Sequence, residues 1–488
     1  MTSDRERAVV ESVPRGVYID GKWREASGGG TFPVEDPSTG QTLCDVADAT
    51  AGDAKTALDA ACAAQDSWAR TPPRERGEIL RRAFGLLMER SEDLALLMTL
   101  EMGKSLTESR GEIAYAAEFF RWFSEEAVRI SGRYSAAPSG GSRLLTMKQP
   151  VGPCLLITPW NFPMAMGTRK IGPAVAAGCT MVMKPAQLTP LSMLALAQIM
   201  EEAGLPAGVL NVIPSSSASR VTSPLIDDSR LRKLSFTGST EVGKALMEQA
   251  APHLLRLSME LGGNAPFLVF ADADIDAAVS GAIVAKLRNM GESCVAANRF
   301  YVEEPVAGEF TTRLAEKMGA LRVGRGTEES TDVGPLISED QRGKVADLVD
   351  DAVSRGAKVH TGGRAPEGAG YFYQPTVLSG ISDGARLLRE EIFGPVAPVR
   401  TFTSEEQAVA EANGTEYGLV AYVYTRDLAR ALRVTEALEC GMVGLNRGLV
   451  SNPAGPFGGV KQSGFGREGG AEGIDEYLSL KYAAIELP

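Results

Sequence analysis

The 488 residues carry 50 Lys and Arg against 62 Asp and Glu, a formal charge of -12 that disfavours nucleic acid as a partner. Hydrophobic content of 44% and charged content of 23% fit a soluble globular chain, whose length suggests about three domains, and no apolar run approaches the roughly 20 residues of a membrane helix. The two histidines, His253 and His360, stand in no metal-binding spacing, which sets aside most zinc hydrolases and makes a histidine-assisted nucleophile improbable.

In chain order, MTSDRERAVVESVPRG mixes acids and bases without an apolar core, so neither a secretory nor a transit peptide fits and the cytoplasm is expected. Residues 16–40 alternate aromatic and apolar residues with Gly, Pro and Asp and predict short strands and hairpins. Apolar spacings of three and four predict long amphipathic helices over 51–69, 74–101 and 107–131. A Gly/Ser/Pro-rich stretch, 132–150, leads away from that unit. Then CLLIT (154–158), TMVMKP (180–185), VLNVI (209–213) and KLSFT (233–237) alternate with helical patterns, the mark of a parallel sheet covered on both faces. A second α/β run follows: FLVF (267–270), helix 274–289, RFYVEE (299–304), helices 306–320 and 339–355, then YFYQPTVL, LVAYVYT and MVGLN as strands. The tail 476–487 reads as one more strand.

Six cysteines, at 44, 62, 154, 179, 294 and 440, form no CxxC and read as thiols in a reducing compartment. Cys294 stands among small residues in GESCVAANR, and a lone cysteine is usually a small buried hydrophobe. Three further stretches place a polar side chain beside Gly or Pro: TPWNFP (158–163), MELGGNAP (259–266) and EEIFGP (390–395). In FTGSTEVG (236–243) a strand ends at Gly238 and a helix begins with Ser239, so free N–H groups and the helix dipole make a pyrophosphate seat. A textual GxGxxG at GFGREG (464–469) follows no predicted strand and leaves no room for the rest of a dinucleotide unit, so it is rejected.

Together these stretches, in this order, resemble the aldehyde dehydrogenase superfamily over nearly the whole chain. The resemblance implies an α/β fold with two doubly wound parallel-sheet domains, for cofactor (1–131 and 147–260) and catalysis (261–460). A small β oligomerisation arm with the C-terminal tail (132–146 and 461–488) completes a homodimer or homotetramer. It makes Cys294 the nucleophile, with Asn161 and the backbone N–H of Cys294 as oxyanion donors, and Glu260 the base that activates the deacylating water. At least one of Trp160 and Phe162 supplies an entrance wall. Thr158, Trp160, Lys184, Gln187, Gly238, Ser239, Glu391 and Phe393 would hold the dinucleotide, Lys184 at the adenosine ribose and Glu391 at the nicotinamide ribose. Gln187 stands where NAD-selective members carry a glutamate, so NADP is expected, with NAD accepted.

Arg169, Arg288 and Ser451 resemble the carboxylate clamp of the succinate-semialdehyde branch of that family. This implies a small aldehyde bearing its own carboxylate, since an arginine fork suits bidentate carboxylate binding. The runner-up is glutarate semialdehyde or another short ω-carboxy aldehyde. A non-catalytic member of the fold would have lost Cys294 or Glu260, and both are present. Two departures stand out: Ala296 replaces a second cysteine two residues after the nucleophile, and Arg447 replaces a small polar residue near the substrate loop.

Overall fold

A computed structural model describes residues 3–486. Its first sheet runs Lys22–Arg24, Val17–Ile19, Leu210–Val212, Met181–Lys184, Cys154–Ile157, Lys233–Thr237, Arg256–Glu260 and Gly464–Phe465. The five inner strands from Leu210–Val212 to Arg256–Glu260 are mutually parallel. Their runs CLLI, MVMK and KLSFT are buried at every position, because helices cover both faces. The parallel part starts at Cys154–Ile157, builds outward to Leu210–Val212, then crosses back to Lys233–Thr237. The order therefore reverses between Cys154–Ile157 and Lys233–Thr237, and ligands of such sheets lie beyond the carboxyl ends of the strands at that reversal.

The second sheet orders Lys358–Thr361, Thr376–Ser379, Val396–Phe402, Ala297–Glu303, Ala265–Val269, Val420–Tyr424 and Met442–Leu445, parallel except at its first pair. The chain passes between the sheets in the four residues from Leu261 to Asn264. A third sheet joins Arg133–Ala136, Ser142–Pro150 and Leu478–Glu486. Of the expected tail strand, Leu487 lies outside the described residues.

Several elements differ from expectation. The single helix over 74–101 is two, Pro73–Glu89 and Ser91–Met102, because Arg90 leaves helical geometry at φ -98°, ψ 15°. Leu87 and Leu94 on either side still face one core, which is why the apolar spacing reads through the break. The helix expected to reach 131 ends at Glu126, with one 3-10 turn to Arg129. An unforeseen helix, Asp4–Glu11, is capped reciprocally by Ser3 and Glu6 and buries Val9 and Val10. Of YFYQPTVL only Thr376–Ser379 pairs as strand, following Pro375. The strand Val396–Phe402, central to the second sheet, was hidden by Pro395 and Pro398.

Candidate active site

At the reversal of the first sheet, the strand Cys154–Ile157 delivers Thr158–Asn161 and the strand Lys233–Thr237 delivers Gly238 and Ser239. Ser239 caps the helix Thr240–Ala250, its hydroxyl accepting from the N–H of Val242. A side chain at Gly238 would put its Cβ 2.4 Å from the Phe236 ring, so that turn admits only glycine without repacking.

From the second sheet, the helix Ile275–Leu287 ends at a turn in which Asn289 and Met290 adopt left-handed φ of 55° and 54°. The reversal aims the next residues back at the cleft. Ala296 N–H closes a turn onto the Ser293 carbonyl at 2.9 Å, and the Tyr422 hydroxyl donates to the Val295 carbonyl at 2.8 Å. Cys294 is thus held on both sides. Gly263, in the link between the sheets, packs so closely that a Cβ there would lie 2.6 Å from the Cys294 carbonyl oxygen.

These turns enclose a cavity of about 920 Å³, partly open to solvent. Of the sequence-predicted residues, its wall includes Cys294, Asn161, Trp160, Gly238, Ser239, Glu391, Phe393, Arg169, Arg288 and Ser451. Phe162 lines it as well. Glu260, Thr158, Lys184 and Gln187 lie outside that wall: Glu260 and Lys184 end their strands, Thr158 follows the strand Cys154–Ile157, and Gln187 is exposed three residues after Lys184.

Burial pushes the Cys294 thiol up to about 12, against the opposing pull of Arg169, with Glu391 and Glu260 adding to the rise and Arg288 opposing it. One Asn161 amide proton goes to the Glu292 carbonyl at 3.0 Å, which fixes the amide and leaves its second proton for a ligand. The Asn161 backbone carbonyl accepts from Lys104 at 2.8 Å and Asn289 at 2.9 Å, tying this turn to the one before Cys294. Glu260 is 3% exposed, and neither carboxyl oxygen has a hydrogen-bond partner among the described residues. Burial first, then Glu468, hold its carboxyl well above the usual range, with Arg169 and Lys170 opposing. Such a carboxyl is a stronger base once it ionises.

The two predicted arginines differ. Arg288 donates to the Ser451 hydroxyl at 3.1 Å and faces the Phe162 ring at 4.8 Å. Arg169 already pairs with Glu468 at 2.8 Å and lies 4.0 Å over the Phe457 ring. Lys170 holds the other Glu468 oxygen at 2.6 Å. Burial raises the Glu468 carboxyl, but Lys170 and Arg169 outweigh it and keep the group below the ordinary range. Sequence reasoning missed Glu468, Lys170 and Gly263. Glu468 stood inside the rejected GFGREG, where an acid between Arg467 and Gly469 was the available signal.

Several residues fit a dinucleotide. The Thr240–Ala250 helix presents its N-terminus to the cavity through Gly238 and Ser239. Glu391 is fixed by the Gly263 N–H at 3.1 Å, and burial raises its carboxyl to about 7. Phe393 and Trp160 meet edge to face at 5.3 Å. Lys184, with burial lowering its ammonium to about 8, stands at the end of the next strand outward.

A thiol-bearing turn facing the carboxyl end of a doubly wound sheet, with an anion seat beside it, defines a dinucleotide-using enzyme. The family model described as "Aldehyde dehydrogenase family" matches residues 23–483. The succinate-semialdehyde dehydrogenase of Paenarthrobacter nicotinovorans is 64% identical over 91% of this chain and 99% of its own. The glutarate-semialdehyde dehydrogenase of Pseudomonas putida is 50% identical over 96% of this chain and 97% of its own. The crystal structure of succinate-semialdehyde dehydrogenase from Burkholderia pseudomallei superposes with TM-score 0.96 at 48% identity, covering 100% of both chains. The chain belongs to the aldehyde dehydrogenase family and is an NAD(P)-dependent oxidoreductase of aldehydes.

Proposed function

We propose that the enzyme oxidises succinate semialdehyde to succinate, preferring NADP and accepting NAD. The observation that carries the substrate is the Arg288–Ser451 pair, a cation and a hydroxyl in the same cavity as Cys294. A carboxylate there would hold its aldehyde end toward the thiol.

In this reading Cys294 loses its thiol proton to solvent, the thiolate sulfur adds to the aldehyde carbon, and the carbonyl oxygen becomes an alkoxide held by Asn161 and the Cys294 N–H. The bound dinucleotide supplies the hydride acceptor. Glu260 then takes a proton from water, whose oxygen attacks the thioester carbon, and the C–S bond breaks to release the acid and the Cys294 thiolate. Residues 1–131 and 147–260 carry the cofactor, and 261–460 carry the nucleophile. Thr158, Lys184 and Gln187 serve the adenosine end, where a neutral Gln187 and a cationic Lys184 favour a 2′-phosphate.

Glutarate semialdehyde is the second reading. A further cavity of about 620 Å³ shares Arg288 and Ser451 with the first, which supports a clamp that accepts a slightly longer chain. The third sheet, with Tyr134, Leu480 and Tyr482 each more than half exposed, supports assembly as a homodimer or homotetramer. The six cysteines are all free thiols, which supports a cytoplasmic location. A steady-state screen of succinate semialdehyde, glutarate semialdehyde and butanal with both cofactors tests the proposal. Butanal matching succinate semialdehyde in kcat/KM would overturn it.

A further inference from the structure

Between the Cys294 cavity and the smaller one behind it stands Tyr115, on the helix Leu106–Glu126, which lines both. Its ring is wedged edge-on against Phe119 at 4.9 Å and 70° and lies 5.5 Å from the Arg288 guanidinium. Its hydroxyl is buried and lies within hydrogen-bonding influence of the Ser451 side chain, although no bond of good geometry forms in the described residues. A buried phenol left unmatched weakens the free enzyme, and a rigid aromatic holding one oxygen at a fixed depth is suited to reading the end of a small ligand.

Resting on the carboxylated-aldehyde reading above, we infer that Tyr115 donates a hydrogen bond to the far carboxylate of the substrate and so is a specificity-determining member of its binding site. The donors are complementary. Ser451 accepts from Arg288 at 3.1 Å, and its own proton can go to the Tyr115 oxygen, which leaves the Tyr115 proton for a ligand. Arg288 keeps the rest of its fork, and a carboxylate offers about four lone-pair sites, more than Arg288 fills. Among the described residues Arg169 also keeps two nitrogens without a hydrogen-bond partner, but its charge is already matched by Glu468 at 2.8 Å, whereas the Tyr115 phenol stands beside Arg288, which pairs with no acid there. Burial keeps the phenol above its ordinary pKa despite Arg169 and Arg288, so it remains a donor at neutral pH. Because the wedge against Phe119 fixes the oxygen, Tyr115 sets how far from Cys294 the carboxylate lies.

Tyr115→Phe removes only the hydroxyl and keeps the ring contacts. For succinate semialdehyde, KM should rise roughly ten- to a hundredfold with kcat within about twofold, the loss expected of a hydrogen bond to a charged group. Butanal kcat/KM and the melting temperature should stay near wild type. The double variant with Arg288→Ala should lose less than the product of the two single losses, since both groups hold the same carboxylate. A KM change under about threefold, or an equal loss for butanal, overturns the inference when wild type favours succinate semialdehyde over butanal. Wild type lacking that preference overturns the substrate reading itself.

Discussion

Arg288→Ala tests the substrate most directly, because Arg288 is the predicted arginine whose charge the fold leaves unspent. It makes one hydrogen bond to a neutral hydroxyl and faces two rings, with no ion pair to an acid among the described residues. A charge-assisted bond to a bound carboxylate contributes about 1.5–3 kcal/mol, so its loss should raise KM for succinate semialdehyde roughly ten- to a hundredfold. Butanal should be nearly unaffected. Arg169→Ala should behave differently, since Arg169 and Glu468 are 2% and 6% exposed and pair at 2.8 Å. Breaking a buried pair costs about 3–5 kcal/mol, reduced here because Lys170 stays on Glu468. Urea unfolding should show that loss for Arg169→Ala and little for Arg288→Ala, while both aldehydes weaken together for Arg169→Ala alone. Equal weakening of butanal and succinate semialdehyde by Arg288→Ala would make that arginine structural and leave the aldehyde unspecified.

Glu260→Gln should allow the oxidation and stall afterwards: stopped-flow absorbance should show a burst of about one equivalent of reduced cofactor, and no burst would remove Glu260 from the deacylation step. With its thiol pushed up to about 12, Cys294 in cofactor-free enzyme should be alkylated by iodoacetamide about tenfold faster per pH unit between neutral pH and 9, in proportion to thiolate. A flat profile by peptide mapping would refute that burial. Gln187→Glu should cut kcat/KM for NADP far more than for NAD, and equal losses would place position 187 away from the 2′ position.

The parallel strands were legible because burial on both faces demands short apolar runs, and KLSFT and MVMK could be little else. The helix break at Arg90 was not, because periodicity reports which face is buried, and Leu87 and Leu94 face one core across it. Pro398 concealed Val396–Phe402, since a missing N–H argues against an inner strand until tertiary pairing overrides it. In the site, side chains flanked by Gly, Pro or aromatics could be picked out singly, but not their competition for partners. From sequence Arg169 and Arg288 look equivalent. Only the fold brings Glu468 back from the C-terminal segment to occupy one of them, while Tyr115, more than 170 residues before the thiol, is folded in beside the other. Which of the two charges the fold neutralises is therefore a property of long-range packing that no local motif encodes.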